Sequence, residues 1–136
     1  MNNTSRSLIE WALRLSLSIT FLFAVSSRLG LFSHDPNAWE NFVKFTGIMT
    51  GFMPSVLTPF FAYAATACEL AFGILLLLPV QTKWVARLAG ALLLTFALSG
   101  TISMGISQPL GHSVFTAAAA AYALSYLVSE KKAAGK

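Results

Sequence analysis

Four long apolar blocks dominate the chain, at residues 8–31, 57–78, 84–106 and 110–128. A helix needs about 20 apolar residues to cross the hydrocarbon core of a bilayer, and each block is close to that length. Only 10% of the 136 residues are charged, whereas a soluble domain has about 25%. These features predict an all-α integral membrane protein, a four-transmembrane-helix bundle in which residues 1–136 form a single domain.

The connection between the first two blocks is longer than a tight turn and has its own helical pattern. Phe42, Phe45, Met49 and Phe52 recur in it at helical spacing. The pattern predicts a short amphipathic interfacial helix between helices 1 and 2. Simple lipid anchoring is the favoured role for this helix, and a lid over a binding site is the alternative.

The basic residues flank the apolar blocks instead of forming a patch, so the lipid bilayer is the expected partner and nucleic acid is not. Two of the nine Lys and Arg residues, Arg28 and Lys44, fall in or near the first connection. The other seven lie on the side shared by the two termini and the second connection. The positive-inside rule therefore predicts a multi-pass protein of a bacterial-type inner membrane, with both termini in the cytoplasm.

Two charges fall inside the apolar blocks, where ionisable residues are rare and usually paired or functional: Arg14 and Glu69. With each helix centred on the midplane, Arg14 lies roughly 8 Å and Glu69 roughly 2 Å to the cytoplasmic side, and Arg28 roughly 13 Å to the outer side. An Arg14–Glu69 pair is therefore predicted. In the alternative, Arg14 extends to the headgroups, and Glu69 is protonated or bonded to hydroxyls. Glu10 also precedes Arg14 at the favourable i, i+4 spacing.

A second polar group is predicted near the outer end, where His112 and Arg28 could meet the "SHD" sequence of residues 33–35. Because His34 and His112 are far apart without ligand spacing, no metal site is predicted, and whether they form an outer site stays open. Cys68 is the only cysteine, so the chain contains no disulfide, and the thiol is expected to be a small core residue.

The segments "ALRLSLSITFLFAVSSRLGLF" and "ACELAFGILLLLPVQTKWVARLAGALLL" resemble the DoxX/DoxD family of small four-helix membrane proteins. The resemblance covers residues 8–126. The ordered set that carries it comprises Arg14, Arg28, Glu69, Gly73 and Arg87. The chain departs from the family where Ser18 and "SSR" replace a glycine and a Gly-x-x-Lys pattern.

The resemblance implies a quinone- or small-molecule-binding component of an oxidoreductase system. Arg14 would then donate to a quinone carbonyl or an anionic substrate, and Glu69 would orient Arg14 or pass a proton. No redox centre is built into the chain, so quinone is the one cofactor considered and other oxidoreductase subunits are the expected partners. Whether the protein is itself an enzyme stays open.

Two other functions stay open beside this one: a non-catalytic membrane subunit or scaffold, and, ranked lower, a small transporter that would need a homo-oligomer. Methylamine-utilisation relatives linked to disulfide chemistry are expected to fit less well, because Cys68 has no partner cysteine.

Overall fold

The computed structural model describes residues 2–135 of the chain. They form six helices: α1 (Asn3–Arg28), α2 (Ala38–Met49), α3 (Thr58–Leu77), α4 (Thr82–Met104), α5 (Ser107–Gly111) and α6 (Val114–Ala134). A single 3-10 turn, Ser55–Leu57, leads into α3. The predicted all-α class is thus confirmed.

Three helical segments within residues 2–135 are long and apolar enough to cross a membrane. They are Asn3–Arg28, Ser55–Leu77 and Thr82–Met104. The fourth predicted span, residues 110–128, is not confirmed. Its helix, α6, is rich in alanine and ends in a charged segment that contains Glu130, Lys131 and Lys132, so it lacks a continuous stretch as apolar as those of the other three.

The starts of the first and last long helices differ from the predicted ones, and each has a local cause in the residues just before it. The side chain of Asn2 accepts a hydrogen bond from the backbone N–H of Ser5, at 2.8 Å, and α1 therefore begins at Asn3. Near the other end of the chain, Pro109 lies within the short helix α5. Ser113 then adopts a left-handed backbone with φ of +55°, which separates α5 from α6.

The four long helices pack as two antiparallel pairs, α1 with α3 and α4 with α6. Contacts of α1 with α6 and of α3 with α4 join the two pairs around a core that includes Phe21, Leu76 and Leu124. Small buried residues line the contact between α4 and α6: Ala86, Ala89, Gly90, Ala118 and Ala121. Such residues let helix backbones approach closely, which is how helices gain contact in a lipid environment.

Gly73 allows the closest approach of α1 to α3. A Cβ atom at Gly73 would lie 2.8 Å from the side chain of Leu22 on α1. At the same level, the hydroxyl of Ser18 donates to the carbonyl oxygen of Gly73 at 2.6 Å. This contact fixes the register of α1 against α3.

The predicted short helix between the first two long helices is present as α2, and it packs against α1, α3 and α4. The hydroxyls of Ser99 and Ser103 on α4 both donate to the carbonyl oxygen of Met49, at 2.6 and 2.8 Å. Thr46 is buried, whereas Ile48 is 55% exposed. We call this end of the bundle, where α1 ends at Arg28, the Arg28 end, and the opposite end the Arg14 end.

Candidate functional site

Arg28 and Glu69 form an ion pair between α1 and α3 at the Arg28 end. Both terminal nitrogens of the guanidinium donate to the carboxylate, Nη1 to Oε2 and Nη2 to Oε1, the latter at 3.1 Å. Nη1 also lies 3.4 Å from the hydroxyl of Thr66. The Glu69 side chain is 5% exposed and that of Arg28 is 16% exposed, so the pair is nearly enclosed but can be approached from the arginine side.

The prediction that Glu69 pairs with Arg14 is therefore wrong, because the partner of Glu69 is Arg28. In the register set by Ser18 and Gly73, Glu69 lies level with Leu22, since each is four residues from its own reference position. Arg28 is six residues from that level, about 9 Å along the axis, and Arg14 is eight residues away, about 12 Å.

Side-chain direction strengthens this preference. Side chains of an α-helix point toward its own N-terminus. The side chain of Arg28 therefore extends back along α1 toward Glu69, and that of Glu69 extends along α3 toward the Arg28 end. Arg14 extends in the opposite direction, away from Glu69. The sequence-based prediction centred each helix on the membrane midplane, so it included neither the register of α1 against α3 nor the direction of the side chains.

Arg14 binds the C-terminal end of α3 instead. Its Nε donates to the carbonyl oxygen of Leu76 at 2.8 Å, and Nη2 donates to that of Leu78 at 2.5 Å. The last carbonyls of a helix have no donor within the helix, and Pro79 brings no N–H to them. A cation there is also favoured by the helix dipole. Pro79 in the sequence marks the end of α3, where backbone carbonyls need a donor from elsewhere. It was therefore the signal that could have indicated the true partners of Arg14.

Glu10 joins Arg14 to α6. One oxygen of Glu10 accepts from Nη1 of Arg14 at 3.2 Å, in the i, i+4 arrangement that the spacing indicates, and the other accepts from Nζ of Lys131, also at 3.2 Å. Nearby, Arg6 pairs with Glu130 at 3.1 Å. Arg14 is 4% exposed, two of its contacts join α1 to the end of α3, and the third links it through Glu10 to Lys131 on α6, so the geometry of this cluster is that of a structural tie.

The ring of Phe42 packs on the Arg28–Glu69 pair, and the rings of Trp39 and Tyr63 continue from it along α2 and α3. The guanidinium carbon of Arg28 lies 3.9 Å from the ring centre of Phe42 on α2. Trp39 packs against both Phe42 and Tyr63, with ring centres 5.8 and 4.8 Å apart. An open groove of 420 Å³, lined by residues that include Trp39 and Tyr63, runs beside them between α2 and α3. Sequence reasoning had not connected Phe42 with Arg28.

The structure does not join His112 to this pair. His112 ends α5, is exposed, and its Nδ1 lies 2.9 Å from the carbonyl oxygen of Gln108. Helix α5 packs on α4 and α6, whereas the polar partners of Arg28 lie on α3. His34 is exposed in the loop before α2. Among residues 2–135, no group of three or more His, Cys, Asp or Glu side chains is arranged to hold a metal ion.

Cys68 is exposed, which contradicts its predicted place in the core. The inward face of α3 carries Ala62, Glu69, Gly73 and Leu76. Cys68 precedes Glu69 by one residue, which turns it about 100° around the helix, away from that face.

These features define a helical membrane protein with several apolar spans and an ion pair between two of them. The family model described as methylamine utilisation protein MauE matches residues 6–113. The chain belongs to the MauE family. No curated protein and no solved structure gives a significant match.

The predicted DoxX/DoxD membership is wrong, because the matching model is that of MauE. Isolated charges within leucine-rich helices describe a general class of small membrane proteins and did not distinguish the two families. The single cysteine was also a poor reason to place the chain away from methylamine-utilisation proteins.

Proposed function

We propose that the protein is a membrane-embedded component of a methylamine-utilisation or related redox system, and that its functional centre is the Arg28–Glu69 pair beneath α2. The family description supports the first part. The observation that carries the second is a nearly enclosed two-point ion pair between α1 and α3, with Phe42 packed on the guanidinium. Charges so placed are expensive in a membrane and are usually functional.

The ligand class that suits this centre is a small amphipathic molecule with a carbonyl group, such as a quinone. Arg28 would donate to the carbonyl oxygen, since its side chain keeps some exposure. Glu69 would orient the guanidinium through the two hydrogen bonds. The rings of Trp39 and Tyr63 line the groove between α2 and α3, and Trp39 also packs on Phe42, so these rings offer flat apolar surfaces to a ligand ring.

The membrane arrangement that goes with this function has α6 as a fourth span and both termini in the cytoplasm of a bacterial-type inner membrane. The 21 residues of α6 extend about 30 Å, enough for the hydrocarbon core. The Arg14 end carries three cations, Arg6, Arg14 and Lys131. Ion pairs with Glu10 and Glu130 hold them where α1 begins and α6 ends. That concentration of cations supports a cytoplasmic Arg14 end.

Retention of quinone tests the proposed site. Wild type, Glu69→Gln and Arg28→Lys are purified in mild detergent from native membranes, and bound quinone is measured by mass spectrometry. The Lys variant keeps the charge but loses the two-point geometry. Glu130→Gln, at the Arg14 end, is the matched control. We expect quinone with wild type and the control and at least a tenfold loss in both site variants; equal amounts in all four would contradict the proposal.

A scaffold is the second candidate, and the contacts of Arg14 favour it. That side chain donates to two carbonyls of another helix and to Glu10, which is what a purely structural charge would do. If Arg28 and Glu69 also serve only to hold α1 against α3, the double variant Arg28→Leu/Glu69→Leu will fold and still co-purify with its partner subunits. Loss of quinone without loss of partners would instead support the binding function.

A further inference from the structure

A second pocket, of 280 Å³, opens at the Arg14 end, between the start of α1, the α3–α4 connection and the end of α6. Its charged lining residues are Glu10, Arg14, Lys131 and Lys132. Three cations therefore face one carboxylate, an excess of two positive charges. The pocket is at the opposite end of the bundle from the Arg28–Glu69 pair.

The carboxylate of Glu10 does not neutralise this pocket. Its two oxygens are already engaged, one by Arg14 and the other by Lys131. The side chain of Lys131 is nevertheless 59% exposed and keeps donors available for a further partner. Lys132 is exposed and lines the same space. Two exposed lysines and one buried guanidinium thus line the same space.

The start of α4 adds a further attraction for negative charge. Thr82, its first residue, is buried and lines the pocket, and Gln81 before it makes no side-chain cap. Backbone N–H groups in the first turn of a helix lack partners within the helix, and the helix dipole makes that end positive.

We propose that this pocket binds an anionic phosphate group. A phosphate offers several acceptor oxygens to Lys131, Lys132 and the first turn of α4 at once. The volume is at the lower limit of the about 300–1,000 Å³ of drug-sized ligand sites, which suits a small polar group. The group is either the headgroup phosphate of an anionic lipid or free inorganic phosphate, and basic pockets between membrane helices bind such headgroups.

Binding is measured on the full chain in detergent, with phosphatidylglycerol as the probe, zwitterionic phosphatidylcholine as its comparison, and inorganic phosphate as a separate ligand. The variants are Lys132→Gln and Lys131→Gln/Lys132→Gln. Lys83→Gln is the matched control: its side chain does not line the pocket, and the substitution removes the same charge from the same end while it keeps every backbone N–H group of α4. Thermal unfolding without ligand shows that each variant is folded; should the double variant fail to fold, Lys132→Gln alone carries the test.

We expect phosphatidylglycerol to bind wild type and Lys83→Gln alike, about fivefold more weakly to Lys132→Gln and about twentyfold more weakly to the double variant. If inorganic phosphate binds with the same dependence on the variants, the free ion is a ligand; if only the lipid does, the source is the headgroup. An equal loss in Lys83→Gln, equal binding of phosphatidylcholine, or no binding of either probe would overturn the proposal. None of these outcomes depends on quinone, so this site and the Arg28–Glu69 site fail separately.

Discussion

Arg28 and Glu69 meet because their side chains extend toward each other from antiparallel helices, although Arg28 is the last residue of α1 and Glu69 lies in the middle of α3. Each charge lies in a largely apolar environment, and each would lose its partner if the other were removed. The packing of α1 on α3 therefore depends on this ion pair, which neutralises the buried carboxylate of Glu69.

The energetic coupling of this pair can be measured with a double-mutant cycle. Arg28→Leu and Glu69→Leu should each lower the free energy of unfolding by about 3 kcal/mol, because each leaves an uncompensated charge in a site of low polarity. The double variant should lose less free energy of unfolding than the two single variants lose together. Unfolding in detergent, followed by circular dichroism, gives the values; strict additivity would contradict a direct pair.

A substitution at Gly73 should disturb the contact between α1 and α3. Gly73→Ala places a methyl group 2.8 Å from Leu22, and the required shift should cost about 1–3 kcal/mol of stability. Gly111→Ala is the matched control, since its new methyl group would meet no atom of another helix within 4 Å. Thermal unfolding in detergent should show a lower Tm for Gly73→Ala alone, and an unchanged Tm would mean that Leu22 moves aside without cost.

The attachment of α2 to α4 depends on two serines that share one acceptor. Because Ser99 and Ser103 both donate to the carbonyl of Met49, either single alanine variant should leave α2 in place, and the double variant should release its end. Hydrogen exchange of residues 38–49 should rise at least fivefold only in the double variant. Thr95→Ala is the control, as Thr95 bonds within its own helix; equal exchange in all variants would show that other contacts hold α2.

The proposed fourth span has a direct topological test. Alkaline phosphatase, active only outside the cytoplasm, is fused after Ser113 or after Ala134, the positions just before and at the end of α6. If α6 crosses the membrane, the first fusion should be active and the second inactive, because the chain returns to the cytoplasm between them. The same activity in both fusions would show that α6 does not span.

The helices themselves could be predicted because hydropathy and capping act over short distances. The apolar blocks located α1, α3 and α4 to within a few residues, and the short amphipathic pattern located α2. The fourth block was less secure: the left-handed Ser113 divided it, and its alanine-rich composition left α6 outside the clear spans. Its predicted start at residue 110 was wrong because residues 107–111 form a separate short helix, α5.

The sequence by itself determined that the chain is helical and enters a membrane, and that Glu10 and Arg14 share a helix face, because all of these depend on residues close together in the chain. Only the tertiary structure decided that Glu69 pairs with Arg28 and that Arg14 binds the end of α3. Those partners depend on the register of two helices and the direction of their side chains. The register depends in turn on contacts between distant residues, of which the bond from Ser18 to Gly73 is one.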